Sequence, residues 1–273
     1  YMDLIFFDLD GTLLNSESKI SNYTRETLAL LQQNGIAYTV ATGRTMLSAN
    51  SIIAEDNFLL PHIYNNGVAI WDPTANALTL ENLVNGNELE FIINLAHQND
   101  ITPFVNVIDG TSHIVYHPAP KHPIERNLLD KYFKKTNAVL RPLSQLSLSA
   151  KITNISMIGD NTRVRNMYKT INDVENLIAY SGPAIEGQSF SWMDIHHRAA
   201  SKGSAVMNLK HKLGATNVIC FGDSDNDLSM FELANECYAP DNAKPVIKSA
   251  ASEVIGHHNE DGVARFLRQR FSL

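Results

Sequence analysis

Acidic residues gather in two short stretches of this sequence. Asp8 and Asp10 directly follow an apolar run in FDLDGTLL, and three more aspartates lie in GDSDND at residues 222–227. Negative charges so close repel each other, and each costs free energy to remove from water. A divalent cation offsets that cost, and Mg²⁺ typically takes one or two carboxylates, waters and a phosphate oxygen. The two stretches therefore predict a site for Mg²⁺ and a phosphate.

Two further polar segments supply groups suited to hold the anion. Thr42 and Gly43 follow the strand-like AYTVA and offer a hydroxyl beside a backbone N–H, while Arg44 is expected to form a structural salt bridge. Lys202 and Gly203 stand at the start of a predicted helix, where a positive charge lies near free backbone donors. Phosphoryl transfer needs charge neutralisation and in-line positioning, and an ionised aspartate is a suitable nucleophile.

The spacing of Asp8 and Asp10 predicts the direction of their side chains. In an extended chain, residues i and i+2 face the same side, so both carboxylates are expected to enter one cavity. Gly11 follows and allows the backbone to turn sharply under a ligand.

Strand and helix signals alternate at both ends of the chain. Apolar runs in LIFF, AYTVA and NVICF predict buried strands, and helices are predicted in TRETLALLQQ and SKGSAVMNLKHKL. This order predicts a parallel sheet with helices on its faces. Ligands of such sheets bind at the carboxyl ends of the strands, where the four polar segments are expected to meet.

The middle of the chain breaks this rhythm. Strand-like ITPFVNVID and SHIVYH occur together there with the helix-like NELEFIINLAHQND, a mixture that favours an α+β unit. We predict an α/β fold with a Rossmann-like parallel-sheet core at residues 1–81 and 185–273. The α+β unit is predicted as an insertion at residues 82–184.

Composition limits the classes of partner. The chain has 273 residues, of which 44% are hydrophobic, enough for one large domain or two smaller ones. The net charge of -7, without a Lys/Arg run, speaks against nucleic acid. Apolar runs are far shorter than the roughly 20 residues of a membrane span, and no secretory signal is recognisable. With only two cysteines, a cytoplasmic protein is expected.

The four motifs resemble those of the haloacid dehalogenase-like phosphohydrolases. DLDGTLL, ATGR, SKGSAV and GDSDND stand in the order of that family. The long insert between the second and third motifs is similar to that of the Cof-type branch, which carries a C2 (IIB-type) cap. The resemblance implies phosphate-ester hydrolysis through an aspartyl-phosphate with Mg²⁺ as cofactor, and it implies that residues 82–184 are the cap domain.

The resemblance also implies roles for single residues. Asp8 would be the nucleophile and a metal ligand, Asp10 the general acid/base that binds metal through its carbonyl, and Asp223 the third metal ligand. The other implied site residues are Thr42, Gly43, Lys202 and Asn226 at the phosphate, Asp227 in support of Lys202 or the metal, and Asn66 on the leaving-group side.

One segment departs from the family pattern. The family usually has a small glycine-containing turn before an Asn-Ala pair near the last core strand, whereas this chain has APDNA at residues 239–243. The resemblance therefore does not specify the conformation of the loop behind the metal, where Pro240 and Asp241 lie.

The sequence predicts a Mg²⁺-dependent phosphatase of small phosphomonoesters, with sugar phosphates as one class. Two alternatives stay open. A phosphomutase would use the same intermediate, and a regulatory protein would bind phosphate without turnover, although such a protein has no use for both Asp8 and Asp10. The expected partner is a small phosphorylated metabolite, and the expected state is a monomer or small homo-oligomer.

Overall fold

The computed structural model describes residues 2–273, and fourteen strands and nine helices lie within that range. In chain order they are β1 (Asp3–Phe7), α1 (Asn22–Gln33), β2 (Ala37–Val40), α2 (Met46–Ile53), β3 (His62–Tyr64), β4 (Ala69–Asp72), β5 (Ala77–Leu80), α3 (Gly86–Gln98), β6 (Phe104–Asp109), β7 (Ser112–His117), α4 (Pro123–Leu128), β8 (Val139–Pro142), β9 (Ile152–Asp160), α5 (Asn161–Asn172), β10 (Leu177–Pro183), β11 (Phe190–His197), α6 (Lys202–Leu213), β12 (Asn217–Phe221), α7 (Leu228–Leu233), β13 (Glu236–Pro240), α8 (Pro245–Ala250), β14 (Glu253–Ile255) and α9 (Gly262–Phe271).

The chain separates into two compact units. The core unit consists of the residues up to Thr79 together with Ser201–Leu273, and the inserted unit consists of Leu80–Ala200. The first boundary lies within two residues of the predicted one. The predicted return to the core at residue 185 is wrong, because β11 pairs antiparallel with β9 and β10 of the inserted unit. A strand-like pattern such as FSWMDI does not specify which sheet the strand will join.

The core unit is built on a five-stranded parallel sheet of order β14-β13-β12-β1-β2. The residues Leu4–Phe7 of β1 are fully buried, as expected for a central strand covered on both faces. A parallel bridge joins Ala41 to Ile63, and β3, β4 and β5 form a small sheet of their own.

The strand order of the core sheet reverses between β1 and β12, in the middle of the sheet. From β1 the chain proceeds through α1 to β2 on one side, whereas from β12 it proceeds through α7 to β13 on the other side. Ligands of open α/β sheets bind outside the carboxyl ends of the strands at such a reversal. Here Asp8 follows β1 and Asp223 follows β12, and the two strands are neighbours.

Local signals at the ends of α6 explain where that helix lies. The Ser201 side chain accepts a hydrogen bond from the backbone N–H of Ser204 at its start, and Gly214 ends it with φ 68°. Val206 and Leu209 pack into the core. Lys202 is thereby held in the first turn of a buried helix end, as the sequence predicts.

The inserted unit is a six-stranded sheet of order β10-β11-β9-β6-β7-β8. Apolar residues of α3 and α5 pack against one face of this sheet, among them Ile92 and Met167 against Val105 and Met157. The short helix α4 covers part of the opposite face through the packing of Ile124 on Ile158. The predicted fold class, a Rossmann-like core with an inserted α+β unit, is confirmed. Among residues 2–273, no helix is both long and apolar enough to span a membrane.

Candidate active site

The backbone leaves the strand conformation directly after β1. Residues Leu9–Leu13 form a single π-helical turn in which Gly11 adopts φ 74°, and a Cβ at Gly11 would clash with the carboxylate of Asp223. Asp8 directly precedes this turn, and Asp10 lies within it. Asp8 is buried, whereas the side chain of Asp10 is 52% exposed. The backbone is extended at both aspartates, with φ -68° and ψ 151° at Asp8 and φ -63° and ψ 130° at Asp10.

Lys202 lies between two buried carboxylates. Its Nζ is 2.8 Å from Asp8 Oδ1 and 2.6 Å from Asp227 Oδ1, and the lysine side chain is completely buried. Burial lowers the pKa of Lys202, but the two carboxylates raise it by more, so the side chain stays an ammonium ion. This arrangement brings together the ends of β1, α6 and β12.

Asp223 and Asp227 complete an acidic cluster around this lysine. The hydroxyl of Thr12 donates to Asp223 Oδ1 at 3.0 Å, and the backbone N–H of Asp223 donates to Asp227 Oδ2 at 2.9 Å. Burial raises the pKa of Asp8 well above its usual value, raises that of Asp223, and raises that of Asp227 to about 6. Burial is the largest cause of the three raised pKa values, and repulsion from the neighbouring carboxylates raises them further, since one ammonium ion faces three carboxylates.

The acidic cluster fits a hard divalent cation. One carboxylate oxygen each from Asp8, Asp223 and Asp227 lies within 4.8 Å of the others. Carboxylate oxygens are the ligands that Mg²⁺ prefers, and the excess negative charge is what such an ion would neutralise. Asp227 belongs to this group, and the sequence predicted it as support for Lys202 or the metal, with Asp8, Asp223 and the carbonyl of Asp10 as the ligands. The carboxylate of Asp10 does not belong to it.

Arg44 holds the side chain of Asp10. Its Nε is 2.6 Å from Asp10 Oδ2, and a second guanidinium nitrogen is 2.7 Å from Oδ1, which is a bidentate ion pair. The sequence predicted a salt bridge for Arg44 but not its partner. The pair joins the loops after β1 and β2, so only the adjacency of those strands reveals it.

The predicted phosphate-binding residues of two loops also meet. The Thr42 hydroxyl accepts the N–H of Arg44 at 3.0 Å, and the Thr42 carbonyl accepts the N–H of Asn66 at 3.1 Å. Asn226 donates its side-chain amide to Asn66 Oδ1 at 3.0 Å. Both asparagine side chains lie beside Gly43, whose missing Cβ would stand 3.3 Å from Asn66 and 3.6 Å from Asn226.

The turn Asn65–Gly67 connects these loops to the start of α6. All three residues have positive φ, at 49°, 53° and 99°. The N–H of Asn65 donates to the carbonyl of Arg44 at 2.9 Å. A Cβ at Gly67 would clash with the carbonyl of Ser201, the residue that precedes α6. This turn thus contacts both the loop after β2 and the helix end that carries the lysine.

The loop that departs from the family pattern supports the first motif. The Asn242 side chain donates to the carbonyl of Gly11 at 2.8 Å, and the N–H of Lys244 donates to the carbonyl of Asp223 at 3.1 Å. Asp241 points elsewhere and pairs with Lys248. Sequence reasoning missed Asn242, which stands two residues after Pro240.

The parallel core, the inserted unit and the four converging motifs define a haloacid dehalogenase-like hydrolase. A sequence model of the haloacid dehalogenase-like hydrolases matches residues 5–267, and the chain belongs to this family.

Similar proteins match along almost their whole length. The 5-amino-6-(5-phospho-D-ribitylamino)uracil phosphatase YitU of Bacillus subtilis (strain 168) is 26% identical over 277 residues, covering 99% of this chain and 98% of that one. A haloacid dehalogenase-like hydrolase of B. subtilis has a TM-score of 0.79 at 25% identity, with 98% of this chain and 99% of that chain covered. The subclass IIB sugar phosphatase BT4131 shares the fold, with a TM-score of 0.78, 19% identity and 99% of both chains covered. The predicted family, with its Cof-type IIB architecture, and the predicted hydrolase class are confirmed.

Proposed function

We propose that this protein is a Mg²⁺-dependent phosphatase of small phosphomonoesters that works through an aspartyl-phosphate on Asp8. The observation that carries the proposal is the position of Asp8, buried after the central strand, bonded to Lys202 and next to two further carboxylates. The names of relatives such as YitU, a phosphatase that matches the whole chain, support the reaction class.

Asp8 has the environment of a nucleophile. Lys202 holds its Oδ1 at 2.8 Å, and the Thr12 hydroxyl lies 3.4 Å from Oδ2. In the proposed reaction a carboxylate oxygen of Asp8 attacks phosphorus, and the bond from phosphorus to the ester oxygen breaks. Water then attacks the phosphorus of the aspartyl-phosphate, which releases inorganic phosphate and restores the carboxylate.

Asp10 is proposed as the general acid and base of the two steps. It donates a proton to the departing ester oxygen and later takes one from the attacking water. The bidentate pair with Arg44 fixes the orientation of its carboxylate. Arg44 is therefore proposed as a positioning residue.

The phosphate and the metal would be held by different groups. Thr42, Gly43, Lys202 and Asn226 are proposed to bind phosphate oxygens, with Asp227 orienting the lysine and Asn66 orienting Asn226. Mg²⁺ would be held by Asp8, Asp223 and the carbonyl of Asp10, and when bound it supplies charge neutralisation for the phosphoryl group.

We infer that the two units have different roles in the reaction. The core unit contains every residue to which the chemistry is assigned, and the inserted unit is proposed as the cap that selects the organic part of the substrate. The cytoplasm is the inferred location, since phosphorylated metabolites are the inferred substrates, and a monomer or small homo-oligomer is the inferred state.

The test is a phosphate-release assay over a panel of phosphorylated metabolites. We expect release by the unmodified protein and none above background by Asp8→Asn. Asp225→Asn is the matched control, because Asp225 lies in the same acidic loop but pairs with Lys244, and it should retain most activity. Full activity of Asp8→Asn would contradict the proposal. Phosphoryl transfer to a second sugar without free phosphate would favour the mutase instead.

Metal removal gives the first specific prediction. Without a cation the three carboxylates carry uncompensated charge next to the substrate phosphate, so EDTA treatment should abolish phosphate release. Addition of Mg²⁺ to the dialysed protein should restore it, and isothermal titration should detect the ion binding. Unchanged turnover of protein shown by elemental analysis to be free of divalent metal would exclude this role for Mg²⁺.

A further inference from the structure

The short loop after β13 contacts both acidic segments of the candidate active site. Its Asn242 side chain donates to the carbonyl of Gly11 at 2.8 Å, in the turn that follows β1. Two positions further on, the backbone N–H of Lys244 donates to the carbonyl of Asp223 at 3.1 Å, in the loop that follows β12. One loop thus holds two segments that are far apart in the sequence but carry carboxylates of the same cluster.

Both ends of the Asn242 amide are bonded, which fixes its orientation. Its Oδ1 accepts the N–H of His258 at 3.0 Å, so its nitrogen is the end that faces Gly11. The ring of His258 contacts the same stretch, because its Nδ1 donates to the carbonyl of Leu14 at 2.7 Å. The turn after β1 is therefore held in its middle and just past its end.

This turn packs directly against Asp223. A Cβ at Gly11 would clash with the carboxylate of Asp223. The next residue, Thr12, donates its hydroxyl to Asp223 Oδ1 at 3.0 Å and lies 3.4 Å from Asp8 Oδ2. Thr12 thus contacts both carboxylates that are proposed as metal ligands. A shift of the turn would change the spacing of Asp8 and Asp223.

The spacing of ligands matters more for Mg²⁺ than for larger ions. Mg²⁺ demands near-ideal octahedral geometry at about 2.0–2.1 Å, whereas Ca²⁺ accepts flexible arrangements of oxygens at about 2.3–2.6 Å. Groups that orient metal ligands without touching the metal typically change its affinity by about 10–100-fold. A side chain that fixes the separation of two carboxylates is therefore expected to favour Mg²⁺ over Ca²⁺.

We propose that Asn242 is a positioning residue that tunes the cation site for Mg²⁺. By holding the carbonyl of Gly11 it keeps the turn against Asp223, and this sets the spacing of Asp8 and Asp223. The carbonyl of Asp10, a proposed ligand, belongs to the peptide directly before Gly11, so the same bond limits its rotation. This inference rests on the proposed Mg²⁺-dependent function and adds a determinant of metal selectivity.

Isothermal titration of the metal-free protein with Mg²⁺ and with Ca²⁺ tests the inference. Asn242→Ala removes the bond to Gly11 and should weaken Mg²⁺ binding about tenfold, with a much smaller change for Ca²⁺. Asn242→Asp keeps an acceptor for the N–H of His258 but turns a second oxygen towards the Gly11 carbonyl. Its added charge attracts both divalent ions, so the ratio of Mg²⁺ to Ca²⁺ affinity should still fall.

Asn259→Ala is the matched control. Asn259 directly follows His258, and its Oδ1 accepts the N–H of Ser16 at 2.7 Å, beyond the turn that packs against Asp223. The control loses a comparable hydrogen bond and should change neither affinity. Thermal melts of the metal-free variants verify that each is folded. In phosphate-release assays, the Mg²⁺ concentration for half-maximal rate should rise for Asn242→Ala and stay constant for the control.

The outcomes separate this inference from the proposed function. An unchanged Mg²⁺ affinity in folded Asn242→Ala, with phosphate release intact, overturns the inference and leaves the phosphatase proposal standing. An equal loss of affinity for Mg²⁺ and Ca²⁺ also overturns it, because general loosening of the loop does not discriminate between ions. If the unmodified protein neither binds Mg²⁺ nor releases phosphate, the function and the inference fail together.

Discussion

Lys202 is the residue that controls the electrostatics of the buried site. It is completely buried and is bonded to two carboxylates from different elements. Removing one member of a buried ion pair leaves the other charge unsolvated, which costs far more than the loss of a surface pair. The same side chain that is proposed to hold phosphate therefore also holds the fold together at that point.

Replacement of this lysine by methionine tests its structural role. Lys202→Met should lower the free energy of unfolding by about 3–5 kcal/mol in metal-free buffer, because Asp8 and Asp227 lose their counter-charge. Urea denaturation measures the change. Lys212→Met, at a mostly exposed lysine of the same helix, should change stability by less than about 0.5 kcal/mol. A loss below about 1 kcal/mol for Lys202→Met would contradict this electrostatic argument.

Arg44 acts on the reaction through another residue. Lysine carries the same charge but cannot bind both oxygens of Asp10, so Arg44→Lys should lower kcat about tenfold with little change in KM. Steady-state phosphate release measures both constants. Arg25→Lys disturbs another Arg–Asp pair of the core unit and should leave kcat unchanged. Equal kcat values for Arg44→Lys and the unmodified protein would remove Arg44 from the mechanism.

At the scale of elements, the site depends on short turns that follow the strands. The turn Asn65–Gly67 contacts the loop after β2, the side chain of Asn226 and the start of α6. Its three positive φ values are possible because asparagine and glycine tolerate this conformation. The turn thus aligns three segments that are proposed to bind one phosphate.

A matched pair of glycine substitutions tests this turn. Gly67→Ala should lower the free energy of unfolding by about 3 kcal/mol, because φ 99° is strained for alanine and the new Cβ clashes with the carbonyl of Ser201. Gly35→Ala should cost only about 1 kcal/mol, because φ there is 68° and the space around it is empty. Denaturant titrations give both values. Equal losses of unfolding free energy in the two variants would mean that the clash with Ser201 contributes nothing and that only backbone strain matters at Gly67.

At the scale of the whole molecule, an ion pair joins the end of the chain to the core sheet. Glu236 on β13 accepts two hydrogen bonds from Arg270 of α9, both at 3.0 Å. It also accepts hydrogen bonds from Asn217 on β12 and from Tyr238. These donors, Arg270 first, lower the pKa of Glu236 to about 2. The last helix is thereby held to two neighbouring strands.

This pair predicts a pH dependence of stability. The pKa of Glu236 in the folded protein lies below the unfolded value of about 4.5. The contribution of the ion pair to the free energy of unfolding is therefore complete above pH 4.5 and is lost as the pH falls towards 2. Glu236→Gln should therefore destabilise the protein by about 1–2 kcal/mol at pH 7. The difference from the unmodified protein should shrink by more than half at pH 3. Glu253→Gln, at an exposed residue of β14, should show no such trend in thermal melts.

Some features were predictable because their causes are local. The strand LIFF, the helix that begins at Lys202 and its stop at Gly214 follow from apolar runs and capping residues, which act over a few positions. The bidentate pair of Arg44 with Asp10 joins residues 34 positions apart, and Asn154 meets Asp194 across 40 positions. Such contacts depend on which strands become neighbours, and the residue pattern of a single strand does not determine its neighbours in the sheet.

The sequence by itself determined the family, the alternating core and the segments that carry the acidic motifs and the motifs proposed to bind phosphate, because these depend on local patterns and fixed spacings. Only the tertiary structure decided that Asp10 is the partner of Arg44 and that β11 belongs to the inserted sheet. The physical reason is that strand register and backbone turns bring distant residues together, and neither is a property of any short stretch of the chain.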